Sequence, residues 1–349
     1  MPIRRRGDTV SANGNDSGEV LLTVEHLHKA FPVRQPLVDR VRRRPRQRAV
    51  AVDDVSFEVR RGDTLGIVGE SGSGKTTLAR LLLRLLQADA GSIRYRGAEV
   101  TSADAAELRR IRRQMQMVFQ DPYSSLNPRL KIGSAIAEPA VVHRVISKDQ
   151  ANEHVAEMLS LVGLPETAAA RYPRQLSGGQ RQRVAIARAL SVQPEFLIAD
   201  EPVSALDASI QAQILNLFDD LLQSLNLTTV FIAHQLSVVA HISNRVAIMY
   251  LGRIVETGPT ERVFESPQHP YTAGLLAAAP RPDPSTRHRK PAVRGDIPSP
   301  LRIPSGCRFR TRCAFAEERC ALEDPALLPV ERDRLVACHV LPFRAEASA

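Results

Sequence analysis

Three observations in the sequence predict an α/β fold with a largely parallel sheet covered on both faces. Thr64–Val68, Glu195–Ala199 and Thr228–Ile232 are short apolar runs, β-branched enough to be buried core strands. Helical apolar spacing separates them over Thr76–Gln87 and again over Ala208–Ser224. A glycine-rich stretch, Gly69-Glu70-Ser71-Gly72-Ser73-Gly74-Lys75-Thr76, joins the first of these strands to the first helix. Strands alternating with helices favour parallel pairing, because each crossover helix returns the chain in the same direction.

The remaining elements follow in order. Val20–Leu27 and Val50–Val59 alternate apolar and polar residues and read as strands with one solvated face. Between them, Val33 to Arg48 is rich in Arg and Pro and reads as an extended loop. Its charge is solvated in the simplest reading, with membrane or partner contact as the alternative. From Ser134 to Leu190 the pattern is mostly helical, closing with a polar-faced helix after Ser177-Gly178-Gly179. Val246–Tyr250 and Arg253–Thr257, joined at Leu251-Gly252, form an expected closing hairpin. Prolines then crowd residues 280–304, and every cysteine lies beyond them, which marks a domain boundary near 280. Residues 1–19 are a polar, disordered tail in this reading.

Composition narrows the function classes. With 349 residues, one large domain plus an appendage is expected. The hydrophobic fraction of 43% fills an ordinary globular core. The net charge of +9 invites a nucleic-acid reading. However, only five of the 47 basic residues are lysines, which points to codon bias rather than to a selected patch. Aromatic residues are 4% with no Trp, so a base-stacking platform is poorly supported and no nucleic-acid partner is expected. No apolar run approaches the roughly 18 residues of a membrane span, and no apolar segment follows Arg4-Arg5-Arg6 as a leader would require. The chain is therefore expected in the cytoplasm.

The glycine-rich stretch carries the first chemistry. Its glycines let backbone N–H groups turn inward around a phosphate, and the helix start behind it adds partial positive charge. Lys75 is expected to supply a point charge to the β- and γ-phosphates, the Thr76 hydroxyl can ligate Mg²⁺, and Thr77 at the helix start joins the expected nucleotide-binding residues. Phe196-Leu197-Ile198-Ala199-Asp200-Glu201 then delivers two carboxylates at the end of an apolar strand, where α/β sheets bind ligands. Asp200 is the expected magnesium partner of Thr76, and Glu201 the general base that polarises the attacking water.

Together with Leu176-Ser177-Gly178-Gly179-Gln180, these motifs resemble those of the ATP-binding-cassette ATPases. The resemblance implies a P-loop NTPase core of RecA-like type, with a parallel sheet, an antiparallel β subdomain and a helical subdomain at about 130–190. It implies ATP and Mg²⁺ as cofactors, and a signature in which Ser177, Gly178, Gly179 and Gln180 face the γ-phosphate held by a second ATPase chain. By the same resemblance Gln120 is the glutamine that senses Mg²⁺ and the attacking water, Asp207 belongs to a loop crossing the dimer interface, and His234 is the switch histidine. Phe31 corresponds to the aromatic that stacks on adenine. Standing alone, His234 and Phe31 would read as core residues. Gln235 departs from the family, which often has Asp after the switch histidine; tuned rather than abolished activity is expected.

Three further stretches resemble the ATPase subunits of oligopeptide and dipeptide importers, a group that includes nickel and glutathione systems. They are residues 119–129 (FQDPYSSLNPR), 269–276 (HPYTAGLL) and 295–300 (GDIPSP). The resemblance implies an ATPase domain over 20–279 and a C-terminal extension over 280–349. Its implied partners are a second, different ATPase chain, two membrane permeases and an extracytoplasmic solute-binding protein, with this chain peripheral on the cytoplasmic face. Cys307, Cys313, Cys320 and Cys338 are the only cysteines. Clustered thiols in a cytoplasmic chain suit a metal site better than disulfides. Their spacing lacks the paired C-x2-C knuckles of zinc ribbons, and the resembled family implies a [4Fe–4S] cluster; zinc is the alternative. His339, beside Cys338, is a lesser candidate ligand.

Overall fold

The structure, a computed structural model, describes residues 18–33, 47–278 and 295–343. Most of the expected N-terminal tail, nearly all of the Arg-rich loop and the start of the Pro-rich stretch therefore lie outside the described residues. Twelve strands form two sheets among the described residues. They are β1 (Val20–Pro32), β2 (Arg48–Arg60), β3 (Thr64–Val68), β4 (Ala90–Tyr95), β5 (Ala98–Glu99), β6 (Met115–Val118), β7 (Phe196–Asp200), β8 (Thr228–Ala233), β9 (Arg245–Tyr250), β10 (Arg253–Pro259), β11 (Leu328–Glu331) and β12 (Arg334–Val336). The principal helices are α1 (Lys75–Leu82), α2 (Ala105–Gln114), α3 (Ile132–Val142), α4 (Ala151–Leu161), α5 (Gly178–Leu190), α6 (Ala208–Ser224), α7 (Leu236–Ile242) and α8 (Pro270–Ala278).

The larger sheet runs β11-β12-β10-β9-β3-β8-β7-β6, and its five strands from β9 to β6 are parallel. Every residue of β3, β7 and β8 is buried, as the continuous apolar runs require for strands covered on both sides. Their side chains divide by the period of two. Ile67, Ile198 and Ile232 enter one apolar cluster, with β1, β2, β4, α1 and α2 on that side. Val68, Ala199 and Ala233 enter the other, beneath α3 to α7. The second sheet, β2-β1-β4-β5, is antiparallel and caps the first cluster.

Two expected element bounds are corrected, and the long sheet also reaches into the tail. The helix expected over Thr76–Gln87 ends at Leu82. Arg84 takes φ 49°, Arg84 N–H donates to the Leu81 carbonyl, and Leu85 N–H donates to that of Arg80. This is a left-handed C-terminal cap made without glycine, so no residue type announced it. The strand expected over Glu195–Ala199 is shifted by one residue and ends on Asp200 itself. Finally, the sheet runs across the boundary expected near 280: β12, from the cysteine-bearing tail, pairs antiparallel with β10 of the ATPase portion.

A buried ion pair fastens that junction. Glu256 on β10 and Arg334 on β12 are 0% and 1% exposed. The Arg334 guanidinium donates to Glu256 Oε1 at 2.6 Å and 3.2 Å, and the backbone N–H groups of Gln268 and His269 complete the carboxylate's partners at 3.0 Å each. His269 is itself fully enclosed, and burial drives its pKa down to about 3, so it is neutral.

Candidate active site

Four parallel strands end on one side of the sheet, and each delivers a predicted residue there. β3 runs into the glycine-rich loop, β7 ends on Asp200 with Glu201 next, β8 leads to His234, and two residues beyond β6 lies Gln120. The loop fits only as glycine where it is tightest. Gly74, at φ 105°, caps α1, and a Cβ there would sit 2.0 Å from the Ala51 carbonyl oxygen. At Gly69 a Cβ would sit 2.1 Å from the Met249 carbonyl oxygen.

The loop encloses a cavity of about 250 Å³ walled by Ala51, Ser71, Gly72, Gly74, Lys75, Thr76, Thr77, Gln120 and Glu201. Lys75 is buried and its ammonium donates to the carbonyls of Gly69 (2.8 Å) and Glu70 (3.0 Å), and to Ser73 Oγ at 3.4 Å. Burial lowers the pKa of Lys75, against the pull of Glu201, Asp200 and Glu70. Thr76 Oγ1 donates to Asp200 Oδ1 at 3.1 Å. Burial raises the Asp200 carboxyl, opposed by that hydrogen bond and reinforced by the charge of Glu201. The Thr76 hydroxyl, on the cavity wall, and the Asp200 carboxylate bonded behind it are hard oxygen donors of the kind that fit Mg²⁺.

Glu201 is the junction of the polar network. Its Oε2 accepts from Gln120 Nε2 at 3.0 Å and lies 3.4 Å from His234 Nδ1. Its backbone is held at φ 46°, a conformation that costs a non-glycine residue about 1–3 kcal/mol. Hydrogen bonds hold it there: its N–H donates to the Ile232 carbonyl, and its own carbonyl accepts from the N–H and hydroxyl of Ser204. Gln235 Oε1 accepts from Gln211 Nε2 at 3.1 Å, which ties it to α6.

Other predicted residues stand apart from this cavity. Ser177 caps α5 in a reciprocal box, accepting from Gln180 N–H at 3.3 Å while Gln180 Oε1 accepts from Ser177 N–H at 3.1 Å. Gly178 and Gly179 follow it; a Cβ on Gly179 would meet Ile210 at 2.5 Å, so the glycine lets α5 close on α6. Asp207 caps α6 through Ile210 N–H at 3.0 Å, which with the Ser209 hydroxyl holds its carboxyl below the usual range. Neither group lines the cavity, nor does Phe31, whose ring has the Lys29 ammonium 5.6 Å from its centre. Sequence reasoning missed Ala51, a wall of the cavity, and the ties of Glu70 to Tyr271 and Arg312. The only signal was Tyr271's place in the His269-Pro270-Tyr271 segment.

The tail brings its thiols into mutual electrostatic range. Burial pushes Cys307 up to about 11, and Cys320, Cys338 and Cys313 push in the same direction. Cys307 N–H donates to the Cys320 carbonyl at 2.8 Å, and the N–H groups of Phe315 and Leu341 point at Cys313 and Cys338 Sγ at 3.4 Å each. His339 Nε2 lies 3.0 Å from the Glu323 carbonyl, which engages that ring nitrogen. Among the described residues no three His, Cys, Asp or Glu side chains are arranged around a single metal ion.

Comparison with known proteins places this geometry in a family. The ABC transporter family matches residues 52–204, and the family described as "Oligopeptide/dipeptide transporter, C-terminal region" matches residues 255–320. A probable peptide ABC transporter ATP-binding protein of Sinorhizobium fredii is 50% identical over 335 residues, covering 95% of this chain and 92% of that one. The chain belongs to the ABC transporter ATP-binding proteins. The di/tripeptide transport ATP-binding protein DppF of Pseudomonas aeruginosa is 46% identical to this ABC protein, across 92% of the chain and 98% of its relative. Among solved structures, a dimeric ATP-binding cassette in a post-hydrolysis state with ADP and Pi matches at a TM-score of 0.61 and 27% identity, over 69% of this chain and 99% of that one. This ABC protein thus binds and hydrolyses ATP on a cassette fold, and both family matches cross features of its single long sheet.

Proposed function

We propose that this ABC ATPase is the motor of an importer of di- or oligopeptides. The observation that carries the reading is the pairing of an assembled phosphate cavity with a C-terminal region of the oligopeptide/dipeptide type, on one chain. The curated relatives named for peptide transport support the same cargo.

In this reading Lys75 and the loop N–H groups bind the ATP phosphates, and Thr76, Gln120 and Asp200 hold Mg²⁺, which when bound neutralises charge on the phosphate oxygens. Glu201 takes a proton from the attacking water while His234 and Gln120 orient its carboxylate. Phe31 provides the adenine contact. The caps at Ser177 and Asp207 stand outside the chain's own cavity, so they are assigned to the nucleotide and interface of a second ATPase subunit. The solved neighbour described as dimeric, with ADP and Pi bound, supports that pairing.

Among the described residues no helix is long and apolar enough to cross a membrane. Attachment then requires partners, and one further surface suits them. A cleft of about 370 Å³ beside Phe119, with Leu85, Glu138, Val142 and Arg188 among its walls, lies next in sequence to Gln120. We assign it to the permeases, with the chain peripheral on the cytoplasmic face and a solute-binding protein choosing the cargo outside. Affinity purification of the chain from solubilised membranes is expected to recover two multi-span permeases. Recovery of nucleic acid without permeases would contradict the importer.

The four cysteines are assigned a [4Fe–4S] cluster. Backbone N–H groups aimed at the sulfurs of Cys313 and Cys338 support thiolate ligation of an anionic cluster. Its role is to brace a small tail. Anaerobically purified protein is expected to absorb broadly in the visible blue, and to lose that band when Cys313 or Cys320 is changed to Ser. A colourless protein containing zinc would replace iron–sulfur by the alternative metal.

A further inference from the structure

The phosphate loop contains an anion of its own. Glu70 is the second residue of Gly69–Thr76, and a free carboxylate on it would be tethered beside N–H groups suited to an anion. Such a tethered group acts at a high effective concentration and would compete with the nucleotide phosphates. In the structure it does not line the phosphate cavity.

The tail holds it elsewhere. Arg312 grips the Glu70 carboxylate with both guanidinium ends, at 2.7 Å to Oε2 and 3.0 Å to Oε1. This bidentate, charge-assisted pairing spans 242 residues of sequence, from the cysteine-bearing tail to the loop. Arg312 is itself buried, 6% exposed, and its guanidinium has the rings of Tyr250 and Phe309 5.8 Å and 6.0 Å away. The backbone of Glu70 is tied separately, its N–H donating to the Tyr271 hydroxyl at 2.9 Å and its carbonyl accepting from Lys75 at 3.0 Å. Among the described residues, Arg312 is the ion-pair partner of this carboxylate.

We infer that Arg312 is a positioning residue of the ATP site, clamping the Glu70 carboxylate outside the anion-binding loop so that phosphate, not Glu70, occupies it. The inference rests on the ATP-binding reading and adds the tail to that site. It makes the effect of Arg312 conditional on the carboxylate, which an ordinary packing contact would not.

The test is equilibrium binding of a fluorescent ATP analogue to the full-length chain in four forms: wild type, Arg312→Ala, Glu70→Gln and the double variant. Wild type must bind; if it does not, the ATP reading fails, separately from this inference. Arg312→Ala is expected to weaken binding about tenfold, and the double variant to bind within about twofold of Glu70→Gln. Wild-type affinity in Arg312→Ala, or the same fold-loss in both backgrounds, would overturn the clamp. Should Arg312→Ala fail to fold, Arg312→Lys replaces it in the same cycle. The lysine keeps the charge but loses the fork, and weakening only in the presence of Glu70 sustains the inference, whereas equal weakening overturns it.

Discussion

Glu201→Gln is expected to lower ATP turnover by about 10²–10⁴-fold while leaving ATP binding intact. The amide is close in shape to the carboxylate, so the left-handed backbone at Glu201 and its hydrogen bonds to Ile232 and Ser204 remain. What is lost is the proposed proton acceptor, the oxygen that now accepts from Gln120 at 3.0 Å and faces His234 at 3.4 Å. Steady-state hydrolysis together with nucleotide binding on the same preparation separates the two effects. Full hydrolysis in the variant would remove Glu201 from the role of base and leave the network with another function.

Arg334→Met is expected to destabilise the chain by about 3–5 kcal/mol, because it strands Glu256 as a buried charge. Glu256 is 0% exposed, and its two remaining backbone donors, from Gln268 and His269, do not supply a counter-charge. The loss falls at the seam where β12 joins β10, so the tail should loosen first. Replacing both members, Arg334→Met with Glu256→Leu, is expected to recover most of the stability, since a well-packed apolar pair removes the desolvation cost of both charges. Equilibrium denaturation of the three proteins checks this. A double variant no more stable than the single one would mean that shape or backbone bonding, rather than the stranded charge, sets the cost.

The parts of the fold legible in the sequence are those with one dominant physical cause. β3, β7 and β8 announce themselves because burial on both faces demands continuous apolar runs, and α6 because its stripe is long and begins at a capping Asp207. Five strands were not recognised: β4, with six residues, opens on Ala90-Gly91-Ser92 and buries only Ile93 and Tyr95, and the other four have four residues or fewer. β5 has two residues, β6 closes one edge of the long sheet, and β11 is largely exposed, so none carries a pattern of its own. The early end of α1 was hidden because Arg84, not glycine, takes the left-handed position.

The site divides in the same way. Phosphate binding by backbone N–H groups is a local device, so Gly69–Thr76 could be read as a string, as could the carboxylates ending β7. Their convergence with Gln120 and His234 follows once the strands are known to be parallel, because parallel strands end on one side. The Arg312–Glu70 clamp and the Arg334–Glu256 pair were not legible. Each joins residues 242 and 78 positions apart, respectively, and an arginine in a tail gives no sign of which carboxylate it will meet.

The most direct test of the central claim is peptide uptake by proteoliposomes containing the complete complex purified with this chain. ATP and Mg²⁺ supplied on the ATPase side are expected to drive accumulation of a labelled di- or oligopeptide against its gradient, and Glu201→Gln to abolish it. Equal accumulation without ATP, or undiminished accumulation with Glu201→Gln, would contradict the account.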